Sequence, residues 1–290
     1  MGLPQPTARL ARYWALVGLS ILFFRESIYD LATLAIEDDR YSYTIFIPFL
    51  SAGLIWLRRL HIFSKARPCP QLGIPLLAVG VLLYYLSAAH QPGALWLPVT
   101  SIVITWTSGF LLFFGPASVR AAMFPLLLLS LLVPIPSPYM RLIEAALQNA
   151  SAEMASALFQ LTGMPVFRQG LTFSLPGVDV KVAEECSGIR SSLSLLIVVL
   201  IAGQLFLKSG WRQLCLALLA IPIVILKNAV RITTLSWLGV YVSPSFFYGD
   251  LHRYGGLPFS LLVFALLIPV LLGLQSSERR AAGQLPLPPK

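Results

Sequence analysis

Charge is what this chain has least of. Only 11% of its 290 residues are charged, 57% are hydrophobic, and the mean hydropathy is +0.79. A soluble domain of that composition lacks the polar side chains to cover its own surface, so a bilayer is its solvent. Acid is scarcer than base, 12 residues against 21. In a soluble chain that excess would raise nucleic acid as a partner, but here the charges are distributed between apolar runs, and membrane lipid is the expected surrounding instead. Cysteine and histidine number only 3 each. Their spacings make no zinc-ligand pattern, so neither a metal nor a cofactor is expected. No internal repeat is present, and the only low-complexity piece is the tail 284–290, which reads as disordered.

What is present is a series of apolar runs approaching the roughly 20 residues that cross about 30 Å of hydrocarbon. They lie at about 13–36, 43–58, 71–89, 95–115, 120–136, 188–207, 211–231 and 256–274, which predicts about eight transmembrane helices. The first run merges into Arg25, Glu26 and Asp30 without a small-residue cleavage site, so it is expected to stay as a helix. With a cytoplasmic N-terminus, the inner segments hold 12 basic residues, among them Arg58, Arg59, Arg120, Lys208 and Arg212, against one acid, Glu278. This positive-inside bias assigns both termini to the cytoplasm of a multi-pass protein in the cytoplasmic (inner) membrane. Residues 1–275 then form a single transmembrane domain and 276–290 a cytoplasmic tail. Cys69 and Cys215 fall toward the inside, which leaves Cys186 as a lone external thiol.

The one sizeable loop is external, from about 137 to 187. In it Met140, Ile143, Leu147, Ala150, Met154, Ala157 and Leu161 recur at steps of three and four, with Arg141, Glu144, Gln148, Glu153 and Gln160 between them. That spacing predicts an amphipathic helix lying on the outer interface or capping the bundle. After Gly163 the pattern changes to short alternation punctuated by Pro176-Gly177, a small β-hairpin that leads directly into Glu184-Glu185-Cys186-Ser187-Gly188. The fold class is therefore an all-α polytopic membrane protein with an external amphipathic helix and a small hairpin before helix 6.

Three positions are placed by this topology on the outer face. Cys186 stands at the mouth of helix 6, where unpaired N–H groups and the helix dipole favour thiolate; Arg190, one turn on, adds positive charge and Glu184 and Glu185 oppose it. Taken alone, such a cysteine is more often a small packing residue. Asn228 and Arg231 share a face at the outer end of helix 7, which reads either as a polar cavity or as Lys227 and Arg231 snorkelling to headgroups. His252 precedes helix 8 and has the intrinsic pKa to shuttle protons, although a lone histidine is more often a loop residue. A cysteine, an arginine and a histidine on one membrane face are the parts of a thiol acyl-transfer site.

At these residues the sequence resembles the exosortase/archaeosortase family. The stretch from Leu175 to Ser192 is similar to that family's hairpin and Cys-Ser-Gly-Ile-Arg signature, Asn228-Ala-Val-Arg231-Ile232 to its Asn-x-x-Arg-Ile helix, and His252-Arg253-Tyr-Gly-Gly256 to its His-x-x-Gly element. A weaker likeness is Tyr41-Ser-Tyr43-Thr44, where the family usually has Tyr-Ser-His-Gly. The resemblance implies a membrane cysteine transpeptidase or protease. Its partners would be exported proteins ending in a short motif, often Pro-Glu-Pro, then an apolar helix and a basic tail. It implies Cys186 as nucleophile, Arg231 as transition-state stabiliser and His252 as acid/base. Arg253 is the alternative third member, and Asn228, Arg190 and Ser187 stand in support. Two other readings are a serine protease using Ser187 with His252, and a non-enzymatic membrane subunit of an export or transport system.

Overall fold

The computed structural model describes residues 6–90, 94–181, 189–247 and 256–281, with side chains over 8–87, 94–181, 192–247 and 259–281. Helices are α1 (Pro6–Phe23), α2 (Arg25–Glu37), α3 (Ile47–Leu57), α4 (Arg59–Phe63), α5 (Pro70–His90), α6 (Trp96–Ala121), α7 (Met123–Leu128), α8 (Ser137–Leu161), α9 (Ile189–Phe206), α10 (Gly210–Tyr241) and α11 (Gly256–Ala281). Strands β1 (Phe167–Gln169), β2 (Thr172–Leu175) and β3 (Val178–Lys181) form a small sheet between α8 and α9. The architecture is that of an all-α polytopic membrane protein.

Four described stretches are long and apolar enough to cross a membrane: Pro70–Ser87, Trp96–Ala121, Gly210–Tyr241 and Phe259–Ala281. A fifth arises if Met123–Leu132 and Ser137–Leu161 count as one broken span. The expected eight is not confirmed among the described residues, and two of the apolar runs are interrupted. The first run is divided at Phe24, whose backbone (φ −94°, ψ 18°) leaves the helical region between α1 and α2. The second gives a 3-10 turn at Asp39–Ile45 and the 11-residue α3, with Pro48 at its start. At 1.5 Å per residue α3 is about 16 Å long, too short to cross alone.

The chain divides into two compact units, one up to Ser137 and one from Pro138 onward. In the first, α6 is the central helix, with α1 and α5 packed on it. Tyr13 of α1 meets the edges of Phe110 and Phe114, and Trp106 donates its indole N–H to Ser20 Oγ at 2.8 Å. Near its end α6 is kinked at Gly115, whose φ of 80° is open to glycine and not to L side chains. The kink admits the 67–69 segment, where Arg67 N–H donates to Phe114 O at 3.0 Å and Cys69 N–H to Leu112 O at 3.1 Å. A Cβ on Gly115 would collide with the Arg67 carbonyl oxygen. Tyr41, Tyr43 and Thr44 are buried in the 3-10 turn, and the Tyr41 hydroxyl donates to Ile135 O at 3.3 Å.

In the second unit the alternation after Gly163 forms an antiparallel meander, β1-β2-β3, one strand more than the expected hairpin. Gly177 makes the turn after Pro176 with φ 82°. The amphipathic helix is present as α8, but its faces are not those the apolar spacing predicts. The buried stripe is Met140, Glu144, Gln148, Ser151, Ala152, Ala155 and Phe159, while Ile143, Met154 and Leu161 are exposed. When lipid is the solvent, apolar side chains can face outward and a polar stripe is turned inward, opposite to the arrangement in water. The far half of α8 packs with the sheet and α10 in one core of Ala152, Ala155, Phe159, Phe173, Ala229 and Ile232. A second core joins α9, α10 and α11 through Leu195, Val199, Leu216, Val224, Val263 and Leu267. The last helix continues to Ala281, past the expected start of the tail, because Glu278 is held there. Its carboxylate accepts the N–H groups of Lys208 (2.9 Å) and Ser209 (2.7 Å) and pairs with Arg212 at 3.6 Å.

Candidate active site

The best-defined part of the site is built on α10. Pro222 removes one backbone donor from this 32-residue helix without ending it. The apolar run stops near Arg231, which suggests a helix end there, yet the helix continues to Tyr241. Thr233 and Ser236 turn inward and Trp237 and Tyr241 outward, so the mixed sequence after Arg231 still has one face for the interior. Arg231 is therefore ten residues, about 15 Å, inside the end of the helix.

That depth corrects the snorkelling alternative for Lys227. Lys227 is 3% exposed and Asn228 1%, and Arg231 is half-buried. Snorkelling carries a charged head to the surface, whereas Lys227 and Asn228 are enclosed by the fold and Arg231 partly so. Lys227 and Asn228 lie four and three residues before Arg231, so both share a face of α10 with it. Enclosed cations are held several kcal/mol more cheaply where polar groups or water surround them, so this part of α10 borders a polar interior. Among the described residues Thr233 Oγ1, Ser236 Oγ and Ser151 Oγ are further buried polar atoms of the unit, without hydrogen-bond partners.

Two buried polar groups of α8 escape the sequence reading. Glu144 (6% exposed) and Gln148 (7%) look like solvent-facing positions between apolar residues, but both are buried. Their own spacing was the available signal: Glu144, Gln148 and Ser151 recur at steps of four and three, a polar stripe in a chain already read as membrane-embedded.

Of the expected site residues, Asn228 and Arg231 are on α10 as described. Arg190 opens α9, and its side chain is outside the described set. Cys186, Ser187, His252 and Arg253 lie outside the described residues, so the expected convergence of Cys186, Arg231 and His252 is not measured. The described chain reaches close to two of them: β3 ends at Lys181, five residues before Cys186, and a 3-10 turn, Pro244–Phe247, ends five residues before His252. Among the described residues no group of three or more His, Cys, Asp or Glu side chains gathers as a metal site would require.

A family model described as transmembrane exosortase matches residues 32–269. No curated protein and no solved structure matches the chain.

Proposed function

The chain belongs to the transmembrane exosortase family, and from that premise we propose that it is a membrane-embedded cysteine transpeptidase or protease acting on the C-terminal sorting signals of exported proteins. The observation that carries this reading is the span of the family match, 32–269, which includes all three motif positions, 186, 231 and 252. The burial of Asn228 and the partial burial of Arg231 support it, since a guanidinium stabilises developing charge more strongly where water screens it less.

In this mechanism the Cys186 thiolate attacks the carbonyl carbon of the scissile peptide. Negative charge develops on the carbonyl oxygen and is stabilised by Arg231. The C–N bond then breaks, the leaving amine takes a proton from His252, and the substrate's C-terminal helix departs, leaving a thioester. Water or an acceptor amine attacks the thioester, His252 takes the proton of the attacking group, and the Cys186 thiolate is regenerated. The positive-inside bias supports an external site with both termini cytoplasmic in the cell inner membrane.

The test is processing of a co-expressed exported protein that ends in an apolar helix and a basic tail, read as a change in its size. Cys186→Ala should abolish processing at equal membrane abundance, and Cys186→Ser should leave little or none. Near-normal processing by Cys186→Ala would end the thiol reading, and loss on Ser187→Ala alone would favour the serine alternative. Orientation is tested separately with a membrane-impermeant maleimide on intact cells, which should modify Cys186 and spare Cys69.

A further inference from the structure

From Arg40 to Ile143 the chain holds no aspartate or glutamate, while Arg58, Arg59, Lys65, Arg67 and Arg120 fall within that stretch. The acids of the first unit, from Glu26 to Asp39, all precede α3. The cations Arg58 and Arg59 follow its other end, at the corner where α3 passes into α4. This corner is firmly seated. Ile62 is buried, and Phe63 packs on Phe110 and Phe114 of α6 at ring-centre distances of 6.1 and 4.7 Å. Just beyond, Ala66 O accepts the Arg9 guanidinium at 3.0 Å.

The rest of the corner is bare. Leu57 is 69% exposed and Leu60 84%, beside the exposed Arg59 and His61. Leu57, Arg58, Leu60 and His61 line an open hollow of about 400 Å³. Arg59 is pinned to Trp56: its guanidinium carbon stands 4.2 Å from the ring centre, and its Nη1 donates to Trp56 O at 2.9 Å. That bond uses one of the five N–H donors of a guanidinium and fixes the plane of the others. Leucines as bare as these belong in hydrocarbon, whereas arginines in a stretch without carboxylates belong among headgroups. The two meet where lipid phosphate sits above acyl chains.

We propose that the α3–α4 corner is a binding site for an anionic phospholipid. Arg58 and Arg59 hold its phosphate, and an acyl chain lies against Leu57 and Leu60. The headgroup must carry net negative charge, because a zwitterionic one brings its own cation toward the arginines. Trp56 suits the same level, since indoles favour the membrane–water interface. The site stands apart from the Cys186 chemistry and does not depend on it.

In the test, full-length protein in a neutral detergent is titrated with phosphatidylglycerol and, separately, with phosphatidylcholine, and bound lipid is counted by native mass spectrometry. Phosphatidylglycerol should be retained about tenfold more tightly or better. Arg58→Gln with Arg59→Gln should weaken that retention by roughly 25-fold, about fivefold for each cation. Arg12→Gln with Arg120→Gln removes two exposed arginines outside the hollow and should leave retention nearly unchanged. Leu57→Ser with Leu60→Ser should weaken it several-fold. If the first arginine pair lowers the thermal midpoint, Arg59→Gln alone, at an exposed position, decides: a loss of about fivefold upholds the site and no loss overturns it. Equal losses from the two arginine pairs would mean general attraction of charge and overturn the site. Displacement by millimolar inorganic phosphate, or retention untouched by the leucine pair, would mean a bare anion site and overturn the lipid.

Discussion

The interiors of the two units differ in kind. In the unit up to Ser137 the buried polar residues are, among the described residues, all hydroxyls: Ser20, Ser27, Thr44, Ser51, Ser101, Thr105, Ser108 and Ser118. Several simply return a hydrogen bond to their own helix or turn, Ser20 to Val17 O (2.7 Å), Thr44 to Tyr41 O (2.7 Å), Ser101 to Leu97 O (3.0 Å) and Ser108 to Thr105 O (2.9 Å). In the unit from Pro138 the buried polar residues include a carboxylate, an ammonium and two amides: Glu144, Lys227, Gln148 and Asn228. A hydroxyl is satisfied locally at small cost, whereas a buried charge or amide needs a polar environment assembled from several elements. The first interior has the character of a scaffold. The second encloses ionisable and amide side chains as well as hydroxyls.

Substitutions can break or sharpen that contrast. The largest effect is expected at Arg231→Lys, which keeps the charge but loses the planar fork of donors. Processing should fall by roughly 10²-fold or more, the usual consequence of losing an oxyanion donor. Ser108→Ala in the first unit should leave it unchanged, and equal losses from the two would erase the distinction. Next is Lys227→Met, an apolar side chain of similar length. Removing an enclosed charge in this way is often neutral or stabilising for the fold, so heat denaturation in detergent should be unshifted or later, while processing drops by about tenfold, ~1.4 kcal/mol in the barrier. Unaltered processing would make Lys227 a structural residue only.

The third substitution reverses the pattern. Gly115→Ala forces a Cβ into the positive-φ kink and against the Arg67 carbonyl, and should cost at least about 2 kcal/mol of stability. Abundance and thermal midpoint should fall, while processing per surviving molecule stays near wild type. The smallest effect concerns Asp38. The side-chain hydrogen bond from Arg40, with an ion-pair distance of 2.7 Å, holds the Asp38 carboxyl below its usual pKa. A lowered folded-state value means that the stabilisation is present above the ordinary carboxylate pKa of about 3.9 and is lost as pH falls through the folded value. Both side chains are partly exposed, so the effect is slight. Asp38→Asn should flatten the acid limb of the stability profile and leave processing at neutral pH as it was.

Much of this was legible in the sequence. Composition alone required a membrane protein, and periodicity located α8 and the change to short strands after Gly163. Ordered motifs identified the family. Local patterns stop being informative where breaks and faces are decided by neighbours. The 13–36 run is apolar enough for one helix, yet it breaks at Phe24, which is then wholly buried between ring edges of Phe23 and Tyr84. Arg231 looked terminal because hydropathy falls there, and only the inward Thr233 and Ser236 explain why α10 continues.

By itself, then, the sequence determined the solvent and the family, since the first depends on composition and the second on short ordered motifs. Tertiary structure alone decided which face of α8 is inside and how deeply Lys227 and Asn228 are enclosed. The physical reason is that burial is a relation between distant segments. Phe159 and Phe173 find Ala229 and Ile232 only when chain far apart in sequence has packed together.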